Sequence, residues 1–321
     1  HTKQSLIMLM PEDVWKACFP EKISEGEVVK WSLDAAINYM FRRSESLPKY
    51  EPKNVRKGGC WWDSGRVVMH MGSHLLVDSE PVAFKDFQTK YIYQSASSLD
   101  FDHRLSSDIG ELKFIEDVAR SFVWRNPASY KFLCGWIVLA PICGLLDWRP
   151  HMWISGSSGC GKSTVINDFV APLLGGIALR PNGSSTEAGI RQSLNGDVVP
   201  VVIDEAEGFD QKSREEIQSI IKLARLASCN STGEISKGQP NGKVVKYLIR
   251  SMFAFAAVNQ SIKMDQDENR AVLLELSVPT MIMSYERAEK SWRILQAKIA
   301  NINENLGKKL IIRTLSLANK I

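Results

Sequence analysis

The chain has 321 residues, of which 44% are hydrophobic and 24% charged, and a formal net charge of +4. That length suits two domains or one large domain with an appended part, and the composition excludes a chain dominated by disorder. So small a basic excess does not by itself demand a nucleic-acid partner, and any such claim has to come from where the lysines sit.

The six cysteines, Cys18, Cys60, Cys134, Cys143, Cys160 and Cys229, are scattered, and none forms a C-x-x-C pair. This pattern suits buried thiols in a reducing cytoplasm better than a disulfide framework. The most apolar run, "FLCGWIVLAPICGLL" at 132–146, is broken by Pro141 and is too short to span a bilayer, so no membrane partner is expected. The chain begins at His1 in mid-pattern, as a fragment excised from a longer protein would.

In chain order, "EGEVVKWSLDAAINYMFRRSE" (25–45) has helical spacing and is predicted to be an amphipathic helix. "GGCWWDSGRVVMHMGSHLLVDSEPVAF" (58–84) alternates, with breaks at "DSG" and "GSH", and is predicted to form two or three strands, with "KYIYQSA" (90–96) adding another. Residues 108–146 read as two helices parted by "RNPAS", with Pro127 in the first turn of the second.

From 151 onward strands and helices alternate. "HMWIS" is a strand and "KSTVINDFVAPLLG" a helix; "TEAGIRQSL" is a helix and "VVPVVIDEAE" a strand ending in acids. "QKSREEIQSIIKLARLAS" is a helix, followed by the strands "SMFAFAAVNQ" and "RAVLLELSV". That order implies a mostly parallel sheet covered on both faces. "YERAEKSWRILQAKIANINENLG" (285–307) is predicted as one long amphipathic helix, with a last helical stretch to Ile321. The expected divisions are 1–110, a smaller α+β region; 111–280, the α/β core with its helical pair; and 281–321, C-terminal helices.

Residues 156–163, "GSSGCGKS", match the phosphate-loop pattern G-x-x-x-x-G-K-[ST], with a strand before and a helix after. Gly156, Gly159 and Gly161 let the backbone curl with its N–H groups inward. Gly156, Ser157, Ser158, Gly159, Cys160, Gly161, Lys162, Ser163 and Thr164 are the expected nucleotide-binding residues. Lys162 would reach the β- and γ-phosphates and Ser163 would coordinate Mg²⁺, while the helix start adds its positive end.

The strand at 198–207 carries Asp204 to the carboxyl edge of the sheet, where it would hold the Mg²⁺ shell. Glu205 beside it would orient and deprotonate an attacking water. Glu207 reads as a helix-capping acid and stands outside this set. Asn259, ending the next strand, suits holding that water or sensing the γ-phosphate, although strands also end in Asn for turn reasons. Arg270 reads as an arginine finger reaching a neighbouring subunit's nucleotide, against a surface arginine paired with Asp267 or Glu268.

Taken together, the loop at 156–163, Asp204–Glu205, Asn259 and Arg270 resemble the ATPase core of AAA+ proteins. The nearest likeness is to the superfamily 3 and MCM-like helicases of phages, prophages and mobile elements, over roughly residues 130–280. The resemblance implies an AAA+-like P-loop NTPase fold, ATP and Mg²⁺ as cofactors, a homo-oligomer (most simply a hexamer), and single-stranded DNA, with RNA as the alternative, threaded through its pore. Residues 1–110 would then be a collar or partner-binding module. The family's lid arginine is unassigned, with Arg287 and Arg293 as candidates.

"EISKG" and "KVVKYLI" are predicted to pair across "QPNG" as a hairpin inserted before the Asn259 strand. In helicases of the group it resembles, such a hairpin enters the pore, and Lys237, Lys243 and Lys246 would grip DNA there. Ordinary solvated lysines are the competing explanation. Arg225 and Arg250 flank the segment as candidate subunit-bridging residues.

His70 and His74, with Cys60 upstream, invite a metal reading, but a strand-and-turn setting does not place the two side chains on one face, so they are read as structural. Cys160 is read as a small residue that fits the loop, and "CWWDSG" as buried aromatic packing ahead of base stacking. The function expected is an ATP-driven nucleic-acid motor; the alternative is a nucleotide-switched signalling or defence ATPase.

Overall fold

The computed structural model describes residues 2–24, 27–46, 51, 54–96, 98–181, 185–206, 210–229, 234–238, 244–258, 269–318 and 320. The chain divides into two compact units, residues 1–52 and 53–321.

The first unit contains α1 (Lys3–Ile7), α2 (Glu12–Cys18), β1 (Pro20–Ser24), β2 (Glu27–Trp31) and α3 (Leu33–Glu45). The helix predicted over 25–45 therefore starts only at Leu33. Residues "EVVKW" pair antiparallel with β1, as β-branched and aromatic side chains favour. Ser32 then caps α3 by accepting from the Ala35 N–H at 3.2 Å. The core of this unit is the stacked pair Trp15 and Trp31, centroids 5.5 Å apart, with Leu6 and Ala36.

The second unit opens with β3 (Val55–Arg56), β4 (Gly59–Asp63), β5 (Arg66–His70), β6 (Leu75–Val77), β7 (Glu80–Val82) and β8 (Ile92–Tyr93). β4 to β7 form an antiparallel meander, and β3 pairs parallel with β8. The β4–β5 turn places Ser64 and Gly65 at φ +55° and +78°, and the β6–β7 turn places Asp78 and Ser79 at +49° and +75°. Two consecutive positive φ angles give the turn that matches strand twist in a two-residue hairpin.

The helices α4 (Ile109–Ser121) and α5 (Ser129–Leu139) follow, α5 running on into a 3₁₀ stretch at Ala140–Leu145. α4 begins with a capping box: the Glu111 N–H donates to Asp108 at 2.7 Å and the Asp108 N–H donates to Glu111 at 3.0 Å. Pro127 sits just before the Ala128 cap, one step outside the first turn expected for it.

Next come β9 (His151–Ser155), a π-helical segment Thr164–Val170 that continues as α6 (Ala171–Leu173), α7 (Glu187–Leu194), β10 (Val201–Ile203) and α8 (Gln211–Ala227). The chain goes on through β11 (Glu234–Gly238), β12 (Val244–Leu248), β13 (Phe253–Ala257), β14 (Ala271–Glu275), α9 (Pro279–Ile282), α10 (Tyr285–Ile299) and α11 (Glu304–Ala318). The sheet order is β10–β13–β9–β14, all parallel. Alternate residues feed two cores. Met152, Ile154, Ala254 and Ala256 join Val118, Leu133, Phe169 and Leu310. Trp153, Phe253 and Phe255 join Ile190, Ile217 and Ala224. Covering on both faces explains the unbroken apolar strands.

The segment 53–110, expected to belong with the N-terminal region, is instead part of the second unit. The Val198 N–H donates to the Gly58 carbonyl at 2.7 Å, and Gly59 forms a parallel bridge with Val198. A Cβ on Gly59 would lie 2.0 Å from the Val198 carbonyl oxygen, and one on Gly144 would lie 2.0 Å from that of Cys60. The meander thus abuts the rest of the unit backbone to backbone, a contact that glycine alone allows.

The single helix expected over 285–307 is two. Asn303 breaks it, its side-chain oxygen accepting from the Leu306 N–H at 3.0 Å at the start of α11. Gly307 then lets α11 close on α6, where a Cβ would stand 2.3 Å from the Pro172 carbonyl oxygen. Among the described residues, no helix is long and apolar enough to cross a membrane.

Candidate functional site

β9 ends at Ser155 on the carboxyl edge of the sheet, and the chain turns through 156–161 into the helix beginning at Lys162. Gly156, Gly159 and Gly161 have φ of +150°, +76° and +97°. A Cβ at Gly156 would lie 2.7 Å from both Cys160 Sγ and the Leu276 carbonyl oxygen. Cys160 is buried beneath the loop and fits as a small side chain. Lys162 Nζ donates to the carbonyls of Gly156 at 2.7 Å and Ser157 at 3.0 Å, closing the loop on itself. Such a loop feeding a helix N-terminus is suited to an anion, because first-turn N–H groups lack intrahelical partners.

Asp204 follows β10 at the same edge. Its Oδ2 accepts from Asn167 Nδ2 at 2.8 Å, and Arg180 donates in turn to the Asn167 side-chain oxygen. Glu205 has φ +57°, in the left-handed region, and its N–H donates to Asp204 Oδ1 at 3.0 Å. The Ala206 N–H then bonds to the Ala256 carbonyl at 2.7 Å and returns the chain to β13. A non-glycine residue held this way costs on the order of 1–3 kcal/mol and persists only where its surroundings enforce it.

One open cleft of about 400 Å³ gathers Ser158, Gly159, Gly161, Lys162, Ser163 and Thr164 with Asp204 and Glu205. Gly156, Ser157 and Cys160 are not among the residues lining it: the first two hold Lys162 through their carbonyls, and Cys160 is buried. Val258, after β13, also lines this cleft; Asn259, the next residue, lies outside the described residues. Of the lid candidates, Arg287 is exposed, and Arg293 is exposed and paired with Glu289 at 2.6 Å. The α10 residue that lines the cleft is Trp292.

Arg270 stands elsewhere. β14 runs parallel to β9 with Ala271 opposite His151, so Arg270 lies at the amino-terminal edge of the sheet. The length of a strand, about 16 Å, separates that edge from the loop. Its guanidinium lies 5.4 Å from the Trp148 ring, and its Nε and Nη1 are buried without a hydrogen-bond partner among the described residues. Asp267 and Glu268, its partners in the competing surface reading, lie outside the described residues.

β11 and β12 pair antiparallel as a hairpin, with Lys237 opposite Val245 and Lys246 opposite Ser236. The side chains of Lys237 and Lys246, the "QPNG" turn and Lys243 lie outside what is described. The hairpin's base is at the amino-terminal edge: Cys229 bridges Trp148 just before it, and Arg250 just after it leads into β13. The Arg250 guanidinium is held below its ordinary pKa range by burial and by Arg56 nearby.

His70 is buried, its Nδ1 accepting from the Gly72 N–H at 3.0 Å and its Nε2 bonded to the Gln94 carbonyl at 2.9 Å. Burial pushes its pKa down and that of the Cys60 thiol up. Among the described residues, no group of three or more His, Cys, Asp or Glu side chains is placed to hold a metal.

No protein-family model and no curated protein matches the chain. Among solved structures it is similar to the apo C-terminal region of NrS-1 (305–718), with a TM-score of 0.39 and 12% identity, over 78% of this chain and 65% of that one. The A form of that apo region gives a TM-score of 0.39 and 11% identity, over 80% and 68%. The chain thus spans about two thirds of the length of that region.

Proposed function

We propose that this chain is an ATP-hydrolysing nucleic-acid motor with an AAA+-like core, working as a ring of identical subunits on single-stranded DNA. One observation carries the reading: a glycine loop opening a helix at Lys162–Ser163 shares a single cleft with the Asp204–Glu205 pair. A volume of about 400 Å³ is in the range of small-molecule sites.

Ser163 and Asp204 fit the sparse donor set of Mg²⁺, which takes one or two protein ligands and completes its shell with phosphate oxygens and water. When bound, the ion neutralises charge on the β- and γ-phosphates. In this reading Lys162 exchanges loop carbonyls for phosphate oxygens. Asn167 and Arg180 hold Asp204 in place, and Glu205 takes the proton of the attacking water. Asn259 positions that water. Arg270, at the edge of the sheet opposite the loop, is out of reach of its own cleft and acts on a neighbour's nucleotide. Lys237, Lys243 and Lys246 contact the DNA backbone.

The test is ATP turnover with and without single-stranded DNA. The expected result is a rate that rises with DNA, is abolished in Lys162→Ala, and is lost without loss of ATP binding in Glu205→Gln. Lys243→Ala with Lys246→Ala should remove only the rise. Turnover indifferent to DNA would leave the nucleotide chemistry and overturn the motor.

A further inference from the structure

The cleft's lining is of two kinds. Ser158, Lys162 and Ser163 are polar, while Val258 and Trp292 contribute apolar surface. Trp292 lies on the inward stripe of α10 with the buried Ala288 and Leu295, and packs in part against the main core. Its ring reaches the glycine loop: a Cβ on Gly161 would stand 3.5 Å from Cζ3 and 3.8 Å from Cη2. Trp292 is the one aromatic side chain lining the cleft among the described residues. A charged groove beside a flat apolar ring matches a ligand with a polyanionic tail and a planar heterocycle.

We propose that Trp292 is the nucleobase platform of this cleft, stacking the purine of a nucleoside triphosphate whose phosphates lie in the 156–164 loop. The inference rests on the nucleotide reading above and adds what chooses the base. A stacked indole presents its face rather than its N–H edge to the base, so selection follows ring area rather than hydrogen-bond readout. Adenine and guanine nucleotides should bind within a few-fold of each other, and both ahead of cytidine nucleotides.

Titration calorimetry of the full chain with ATP, GTP, CTP and inorganic tripolyphosphate tests this. In Trp292→Ala, ATP binding should weaken by about tenfold or more. Tripolyphosphate, which has no base, should bind as in the wild type. Trp292→Phe keeps a ring and should retain most of the ATP affinity, which guards against a variant that merely misfolds. Lys162→Ala should weaken both ligands. An unchanged ATP affinity in Trp292→Ala would sink the proposal, and so would equal loss of ATP and tripolyphosphate, which would make the ring a prop for the loop. If the wild-type chain binds neither ligand, the nucleotide reading itself fails and takes the platform with it.

Discussion

Asn167 donates its side-chain amide to Asp204 Oδ2 at 2.8 Å, tying the helix after the glycine loop to the acid at the end of β10. Asn167 is one helical turn beyond Ser163, so one helix presents both a residue lining the cleft and the group that orients the Asp204 carboxylate. Asn167→Leu removes the bond to Oδ2 and leaves Asp204 held by the Glu205 N–H. Supporting partners of this kind are worth roughly 10–100-fold in metal affinity or activity. The expected outcome is a rise of that order in the Mg²⁺ concentration giving half-maximal ATP turnover, with metal-free nucleotide binding unchanged. An unaltered Mg²⁺ dependence would remove Asn167 from the site.

Glu205 sits at φ +57° in a cleft position. Replacing it with glycine relieves the backbone and should leave the fold as stable or about 1 kcal/mol more stable, while abolishing turnover. Paired urea unfolding and ATPase assays check this. A less stable Glu205→Gly would show that the side chain contributes contacts that outweigh the strain.

Gly144 and Gly65 make a contrast. A Cβ at 144 meets the Cys60 carbonyl oxygen at 2.0 Å, whereas one at 65 meets nothing within 4 Å but has φ +78°. Gly144→Ala should cost more than about 3 kcal/mol or block folding, and Gly65→Ala only about 1 kcal/mol. Equal midpoints in urea for the two variants would contradict the backbone-to-backbone contact.

Asp63 is fully buried and accepts from Ser64 Oγ at 3.0 Å, the Tyr93 hydroxyl at 3.1 Å and the Thr89 hydroxyl. Asp63→Ala strands these donors and should cost about 2–4 kcal/mol. Asp63 does not line the cleft, so ATP affinity at low urea should not change. A variant that loses nucleotide binding while keeping its midpoint would move Asp63 into the site.

His151 opens β9, and its ring bonds on both sides, to the Ala224 carbonyl at 2.6 Å and from the Phe253 N–H at 3.1 Å. Burial pushes its pKa down to about 4. The unfolded chain takes up this proton near pH 6.5, and the folded chain does so only near 4. The contribution to stability is therefore complete above about pH 6.5 and is lost as pH falls toward 4, at about 1.4 kcal/mol per pH unit. Between pH 7.5 and 5, His151→Gln should lose about 2 kcal/mol less stability than the wild type. His70, also depressed by burial, leaves part of the acid sensitivity in place. Identical pH profiles for the two proteins would refute the assignment.

The contiguous features were legible in the chain alone. A strand, a glycine loop and a helix within 151–173 are specified by neighbours in sequence, as are the apolar strands at 201–203 and 253–257 and the capping box at Asp108–Glu111. Glycine's freedom at positive φ and the period of apolar residues act over a few residues, so no distant partner is needed to read them. Tertiary structure decided what depends on long-range approach. Gly59 against Val198 moves residues 53–110 into the second unit, and parallel register sends Arg270 to the edge opposite the loop. The capping geometry of Ser32 and Asn303 cuts two helices that periodicity alone would have continued. Trp292 reaches Gly161 from 131 residues down the chain, its spacing in α10 being that of any core residue. Only packing, which the one-dimensional pattern does not encode, turns that ring toward the cleft.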